Sequence, residues 1–113
     1  MAKVCVLLSA YNGEKYLEAQ LQSLVRQRNV DLDVIVRDDG STDNTYEILS
    51  RWEKTGKIRC YTGENLGWAM SFMHLVLNAP EYDYYAFCDQ DDIWHEDKLY
   101  VALESLKKDE TVP

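Results

Sequence analysis

The sequence predicts an α/β fold built on a mostly parallel sheet. Three observations carry that expectation. Segments rich in β-branched and aromatic residues alternate four times with segments of helical period. The first strand-like run is apolar without a break, as a strand covered on both faces must be. Polar turns, two of them acidic, recur where three of the strand-like runs end. With 113 residues the chain has room for one modest core, and residues 1–113 are read as a single domain or a piece of one.

Taken in order, the first strand is expected over residues 3–9. A helix follows over 15–27, with Leu17, Leu21, Leu24 and Val25 on one stripe. The second strand, 33–37, rests on Val34, Ile35 and Val36 and stops at Asp38-Asp39-Gly40, where glycine permits a tight turn. Ser41 or Thr42 is placed to cap a helix over 43–54 that buries Ile48, Leu49 and Trp52 and ends at Gly56. A short third strand, 58–61, leads through a polar loop to a helix whose inner face is read as Ala69, Phe72, Met73, Val76 and Leu77. Met70, Phe72 and Met73 are assigned to the core. The fourth strand, 84–88, runs into Asp89-Gln90-Asp91-Asp92, and a last helix carries Leu99, Ala102, Leu103 and Leu106 at helical spacing.

Composition narrows the function. Twelve Lys and Arg against twenty Asp and Glu leave a net charge of −8, which repels a phosphate backbone and argues against nucleic acid as a partner. A phosphate-ester ligand at so acidic a chain needs a divalent cation between the charges. Cys5, Cys60 and Cys88 are odd in number and lack zinc-type spacing, so they read as free thiols of a reducing cytoplasm. No apolar run approaches the ~18 residues needed to cross a bilayer. The expected location is cytoplasmic, with residues beyond the chain able to touch the inner face of the membrane.

Ligands of open α/β sheets bind beyond the carboxyl ends of the strands, and parallel strands bring Ser9-Ala10-Tyr11-Asn12-Gly13, Asp38-Asp39-Gly40 and Asp89-Gln90-Asp91-Asp92 to one edge. Three carboxylates in four residues repel one another without a counter-ion and suit Mg2+ or Mn2+. The alternative is a solvated acidic loop in which Asp92 caps the next helix. The Asp38-Asp39 pair could accept hydrogen bonds from a ribose or a pyrimidine imide N–H, or could serve only an Asx-type turn. Tyr11 offers an aromatic face to a base. Asn65-Leu66-Gly67 allows close approach of backbone to a ligand, or is a plain helix start. Trp94 is read as core and His95 as surface.

In order and spacing these segments, from Ser9-Ala10-Tyr11-Asn12-Gly13 through Val36 to Asp43 and Glu64-Asn65-Leu66-Gly67 to Phe87-Cys88-Asp89-Gln90-Asp91-Asp92-Ile93-Trp94, resemble family 2 of the nucleotide-sugar glycosyltransferases. The Asp89 to Trp94 variant looks most like rhamnosyltransferase-type members that build bacterial surface polysaccharides. The resemblance implies a GT-A (Rossmann-like) fold, incomplete here, that binds a nucleotide-diphosphate sugar and passes the sugar to a saccharide or lipid-linked acceptor with inversion. By resemblance Ser9, Ala10, Tyr11, Asn12, Asp38, Asp39, Asn65, Gly67, Asp89 and Gln90 form the nucleotide site, and Asp89 with Asp91 holds Mn2+ or Mg2+. The acceptor half and its catalytic base are expected beyond Pro113, which would leave residues 1–113 inactive alone. The chain also departs from some relatives in lacking a basic residue after Gly67, where Trp68, Met70 and Ser71 stand.

Other classes fit less well. Gly13 stands alone where a dinucleotide-binding G-x-G-x-x-G turn should follow the first strand, and no P-loop is present. A nucleotidyltransferase should carry a Gly-rich basic loop there, and a phosphoaspartyl domain an acid. A non-enzymatic module that binds a cation or nucleotide is the remaining alternative.

Overall fold

Between Lys3 and Ser9 the first strand holds only Val, Cys and Leu, so it can be buried on both faces and take the middle of a sheet. The computed structural model describes residues 2–110 and places it there. The elements are β1 (Lys3–Ala10), α1 (Leu17–Val25), β2 (Asp31–Asp38), α2 (Thr45–Lys54), β3 (Ile58–Thr62), α3 (Trp68–Asn78), β4 (Tyr84–Cys88) and α4 (Lys98–Glu110). The four strands are parallel in the order β3-β2-β1-β4, with Leu7 opposite Ile35 on one side and Phe87 on the other.

Alternation along the strands sorts side chains between two layers. Val4, Val6, Leu8, Val34 and Val36 face α1 and α2, where they pack with Leu17, Leu21, Leu24, Ile48 and Leu49; Trp94 and Leu99 join the same cluster. Cys5, Leu7 and Ile35 face the opposite layer, which is the single helix α3 with Phe72 and Leu75. Among the described residues no helix is long and apolar enough to cross a membrane.

Several expectations are corrected. Helix α1 begins at Leu17 and not at residue 15, because the Gly13 carbonyl gathers the N–H groups of Tyr16 and Leu17 into a turn first. Helix α2 begins at Thr45, whose N–H and hydroxyl both donate to the Asp43 carboxylate; neither Ser41 nor Thr42 caps it. On α3 the buried residues are Ser71, Phe72 and Leu75, while Ala69, Met70, Met73, Val76 and Leu77 are exposed. One helix cannot present two apolar stripes to one sheet, and the Phe72 stripe is the one that meets it. Ala102 and Leu106 of α4 are likewise exposed, and Asp92 lies too far ahead of Lys98 to cap that helix. Trp94 is buried and His95 exposed, as read from the sequence.

Candidate functional site

In the sheet β1 has β2 on one side and β4 on the other, so the direction of chain order reverses at β1 and a crevice opens beyond the strand ends. A pocket of about 700 Å3 lies there. Ser9 and Tyr11 enter it from the end of β1, Asp39 from β2, Asn65, Gly67, Trp68 and Phe72 from the start of α3, and Asp89 and Gln90 from the end of β4. A separate hollow bounded by Glu14, Glu47 and Arg51 sits over α1 and α2, away from these groups.

Strand alternation decides which predicted residues reach the pocket. Ser9, Arg37 and Asp39 continue the face of Cys5, Leu7 and Ile35, and the pocket opens on that face. Ala10 and Asp38 point to the other layer. Asp38 closes the strand-to-helix turn, its Oδ1 accepting from the Ser41 N–H at 3.1 Å and its Oδ2 from Thr62 Oγ1 at 3.3 Å. Of the two adjacent aspartates, Asp38 serves the turn and Asp39 alone lines the pocket. Asn12 also lies outside the pocket lining. Its φ is 48°, its Oδ1 accepts from the Thr42 N–H at 2.8 Å and its N–H donates to Ser41 Oγ at 2.9 Å, so it straps the β1–α1 loop to the β2–α2 loop.

Asp39 is 2% exposed and heavily engaged. Arg37 Nη1 donates to its Oδ1 at 2.6 Å, and the Leu66 N–H donates to the same oxygen at 2.9 Å. The Gly67 N–H donates to Oδ2 at 3.1 Å. The buried Arg37 also donates to Ser71 Oγ at 3.0 Å and the Glu64 carbonyl at 3.0 Å, and Ser71 shares a 2.6 Å hydrogen bond with Ser9 Oγ. A Cβ on Gly63 would collide with the Arg37 guanidinium, which fixes glycine there. A carboxylate offers about four acceptor positions, so about one is left on Asp39 for a ligand.

The acidic turn after β4 is fastened from below. Gln20 Nε2 donates to the Asp89 carbonyl at 2.5 Å, and Gln90 Oε1 accepts from the Tyr11 N–H at 2.7 Å. Asp91 sits in the left-handed region with φ 62°, exposed and outside the pocket lining, and Asp92 Oδ2 accepts from Trp94 Nε1 at 3.2 Å. Burial pushes the Cys88 thiol beneath this turn up to about 12; nearby Asp92 and Asp89 add to the rise, against the Gln20 hydrogen bond and Lys98. A thiol held in that form is a poor nucleophile at neutral pH. Among the described residues no group of three or more His, Cys, Asp or Glu gathers to hold a metal. The donor set thus fits an ion that takes one or two carboxylates and completes its shell from ligand phosphates, and does not fit a closed protein cage.

Sequence reasoning missed Arg37, the Gln20 anchor, and Trp68 and Phe72 as pocket walls. A charged residue two positions before Asp39 in an apolar strand was the signal for the first. For Gln20, polar residues at positions 20 and 23 among the leucines of α1 were the signal.

The backbone is similar to that of S. aureus TarS, of which a fragment spanning residues 1–349 is known in complex with UDP. The TM-score is 0.80 at 28% identity, over 94% of this chain and 32% of that one. It is also similar to the mannosyltransferase PcManGT of Pyrobaculum calidifontis in complex with GDP-Man and Mn2+, with TM-score 0.77 at 26% identity, over 91% of this chain and 32% of that one. The fold is that of a GT-A glycosyltransferase. The chain belongs to glycosyl transferase family 2, whose model matches residues 5–112. It is 36% identical over 105 residues to the dTDP-rhamnosyl transferase RfbG of Shigella flexneri, and 32% identical over 110 residues to a chondroitin synthase of Pasteurella multocida. Those matches cover 88% and 96% of this chain but 36% and 11% of the relatives, so the chain spans about a third or less of their length.

Proposed function

We propose that this chain forms the donor-binding part of a glycosyltransferase that moves a sugar from a pyrimidine nucleoside diphosphate to a saccharide or lipid-linked acceptor in polysaccharide biosynthesis, with inversion at the anomeric carbon. The observation that carries the reading is the convergence of Asp39 and Asp89 on one pocket at the β1/β4 switch point. The single acceptor position left on Asp39 matches the one imide N–H of uracil or thymine. A guanine edge presents two adjacent donors and would leave one unmatched. Tyr11 and Trp68 supply aromatic faces to the same pocket. The dTDP-rhamnosyl transferase relative and the UDP complex of the structural neighbour support the pyrimidine assignment.

Asp89 and Asp91 would hold Mn2+ or Mg2+, which neutralises a diphosphate leaving group when bound. The chain's own residues orient the base through Asp39, whose carboxylate Arg37 holds in place. The acceptor and the carboxylate that removes its proton are assigned to residues outside 1–113.

A thermal-shift titration tests this. dTDP or UDP with Mn2+ should raise the Tm, at 100 times Kd by the equivalent of about 2.7 kcal/mol. GDP should do so only weakly. Asp91→Asn, which tolerates the left-handed backbone as Asp does, should keep the unliganded Tm and lose the metal-dependent shift. Absence of a shift with every nucleoside diphosphate would overturn the proposal.

A further inference from the structure

Helix α1 carries two buried polar side chains among its leucines, Gln20 at 1% exposed and Ser23, and Gln27 is buried just past the end of the helix. All three reach the same neighbouring segment. Gln20 Nε2 donates to the Asp89 carbonyl at 2.5 Å and lies 3.3 Å from Cys88 Sγ. Ser23 Oγ accepts from the Trp94 N–H at 3.1 Å. Gln27 Nε2 donates to the His95 carbonyl at 2.7 Å, while its Oε1 accepts from the Leu99 N–H at 3.0 Å. Apart from the Gln20 bond to the Cys88 sulfur, every bond is to main chain, so the ladder holds the backbone from the end of β4 to the start of α4.

The ladder is more than packing needs. Apolar residues at these positions would continue the Leu17–Leu21–Leu24 stripe, whereas Gln20 leaves its Oε1 buried without a partner, which an unspecialised core position would avoid. The segment it grips contains Asp91 at φ 62°, a backbone state uncommon outside glycine that persists only where the surroundings over-determine it. The Asp89 carbonyl accepts both the Asp92 N–H that closes this turn, at 3.2 Å, and the Gln20 amide.

We infer that Gln20 is a positioning residue for the donor's diphosphate and its metal: by clamping the Asp89 carbonyl it holds the acidic turn, before any ligand arrives, in the conformation that presents Asp89 to the pocket. The inference rests on the nucleotide-donor reading above. The nucleoside end of the pocket, built on Asp39, hangs from Arg37 and the backbone before α3, whereas the Gln20 side chain hydrogen-bonds Cys88 and Asp89.

That separation gives the test. Gln20→Met keeps the volume and removes the amide; Ser23→Ala serves as a second variant should the first fold poorly, and Ile48→Val controls for general destabilisation. Affinities for free thymidine or uridine, and for dTDP or UDP with Mn2+, are measured by calorimetry, together with hydrogen exchange at the Asp91, Asp92 and Ile93 amides without ligand. The expected result for Gln20→Met is unchanged nucleoside affinity, diphosphate–Mn2+ affinity weakened tenfold or more, and faster exchange confined to the turn. Equal weakening of both ligands, unchanged diphosphate affinity, or exchange as slow as in the parent would overturn the inference. Should the parent bind no nucleotide, the donor reading fails by itself, and the exchange measurement still decides whether Gln20 holds the turn.

Discussion

Replacing Arg37 with Met removes the cation that faces Asp39 while leaving a side chain of similar length in the strand. The pair is 2.6 Å apart with the two side chains 2% and 3% exposed, so water cannot take over the role of the guanidinium without opening the sheet. Removing one partner of a buried pair typically costs about 3–5 kcal/mol, because the remaining charge is stranded. The other lost bonds add little: Ser71 Oγ keeps its bond to Ser9, and Glu64 sits in an exposed loop where water can reach its carbonyl. Against a whole-domain stability of about 5–15 kcal/mol, the loss is a large fraction. At about 4–8 °C per kcal/mol for a domain near this size, the Tm should fall by roughly 12–40 °C. Urea unfolding followed by circular dichroism measures the loss directly. The double variant Arg37→Met, Asp39→Leu strands no charge, and apolar replacement of a buried pair is often neutral or better. It should regain most of the stability while binding no nucleotide. A single variant costing under about 1 kcal/mol, or a double variant no more stable than the single one, would refute the reasoning.

Two further outcomes concern titrating groups. Burial pushes the Cys5 thiol up to about 11, with Asp33 adding and Arg59 opposing, and burial likewise sets Cys88 at about 12. Native chain at pH 8 should therefore resist iodoacetamide at both positions and become alkylated there only on unfolding, as peptide mass spectrometry would read. At Asp43 slight burial favours the neutral acid, but hydrogen bonds from the Thr45 hydroxyl, the Thr45 N–H and the Glu14 N–H outweigh it and hold the carboxyl below its ordinary value. A depressed folded-state value means stabilisation that is present above the unfolded value, about 3.9, and lost as pH falls through the folded one. Asp43→Asn should thus be less stable than the parent at pH 7, with the gap closing below about pH 4 in chemical-denaturation curves.

Fold class and the order of elements were legible because they rest on short-range pattern: an unbroken apolar run for β1, period-3.6 leucines for α1, and punctuation by Gly40, Gly56 and Pro80. Seven of the ten residues expected at the nucleotide site line the pocket, while Ala10, Asn12 and Asp38 do not. Two of those three exceptions follow from period-2 alternation, which was readable once α3 was known to lie on the face of Cys5, Leu7 and Ile35. That knowledge is tertiary, since Met73, Val76 and Leu77 made an equally apolar stripe for α3 to bury. Asn12 could not be read at all, because its partners, Ser41 and Thr42, are some 30 residues away.

The departures from good local structure are concentrated where the pocket is. Among the described residues the two buried side-chain atoms without a hydrogen-bond partner are Arg37 Nε and Gln20 Oε1, one beneath Asp39 and the other beneath Asp89. Of the three left-handed non-glycine residues among those described, Asn12 and Asp91 lie in the loops that flank the pocket. The rest of the layer of α1 and α2 is an apolar cluster in which Leu21, Leu24 and Leu49 are fully covered. A chain selected for stability alone would have no reason to load one sheet edge with a buried ion pair, two orphaned polar atoms and strained turns, because each costs about a kcal/mol or more. Their concentration around the edge where Asp39 and Asp89 converge accords with the proposal that this edge is the binding site.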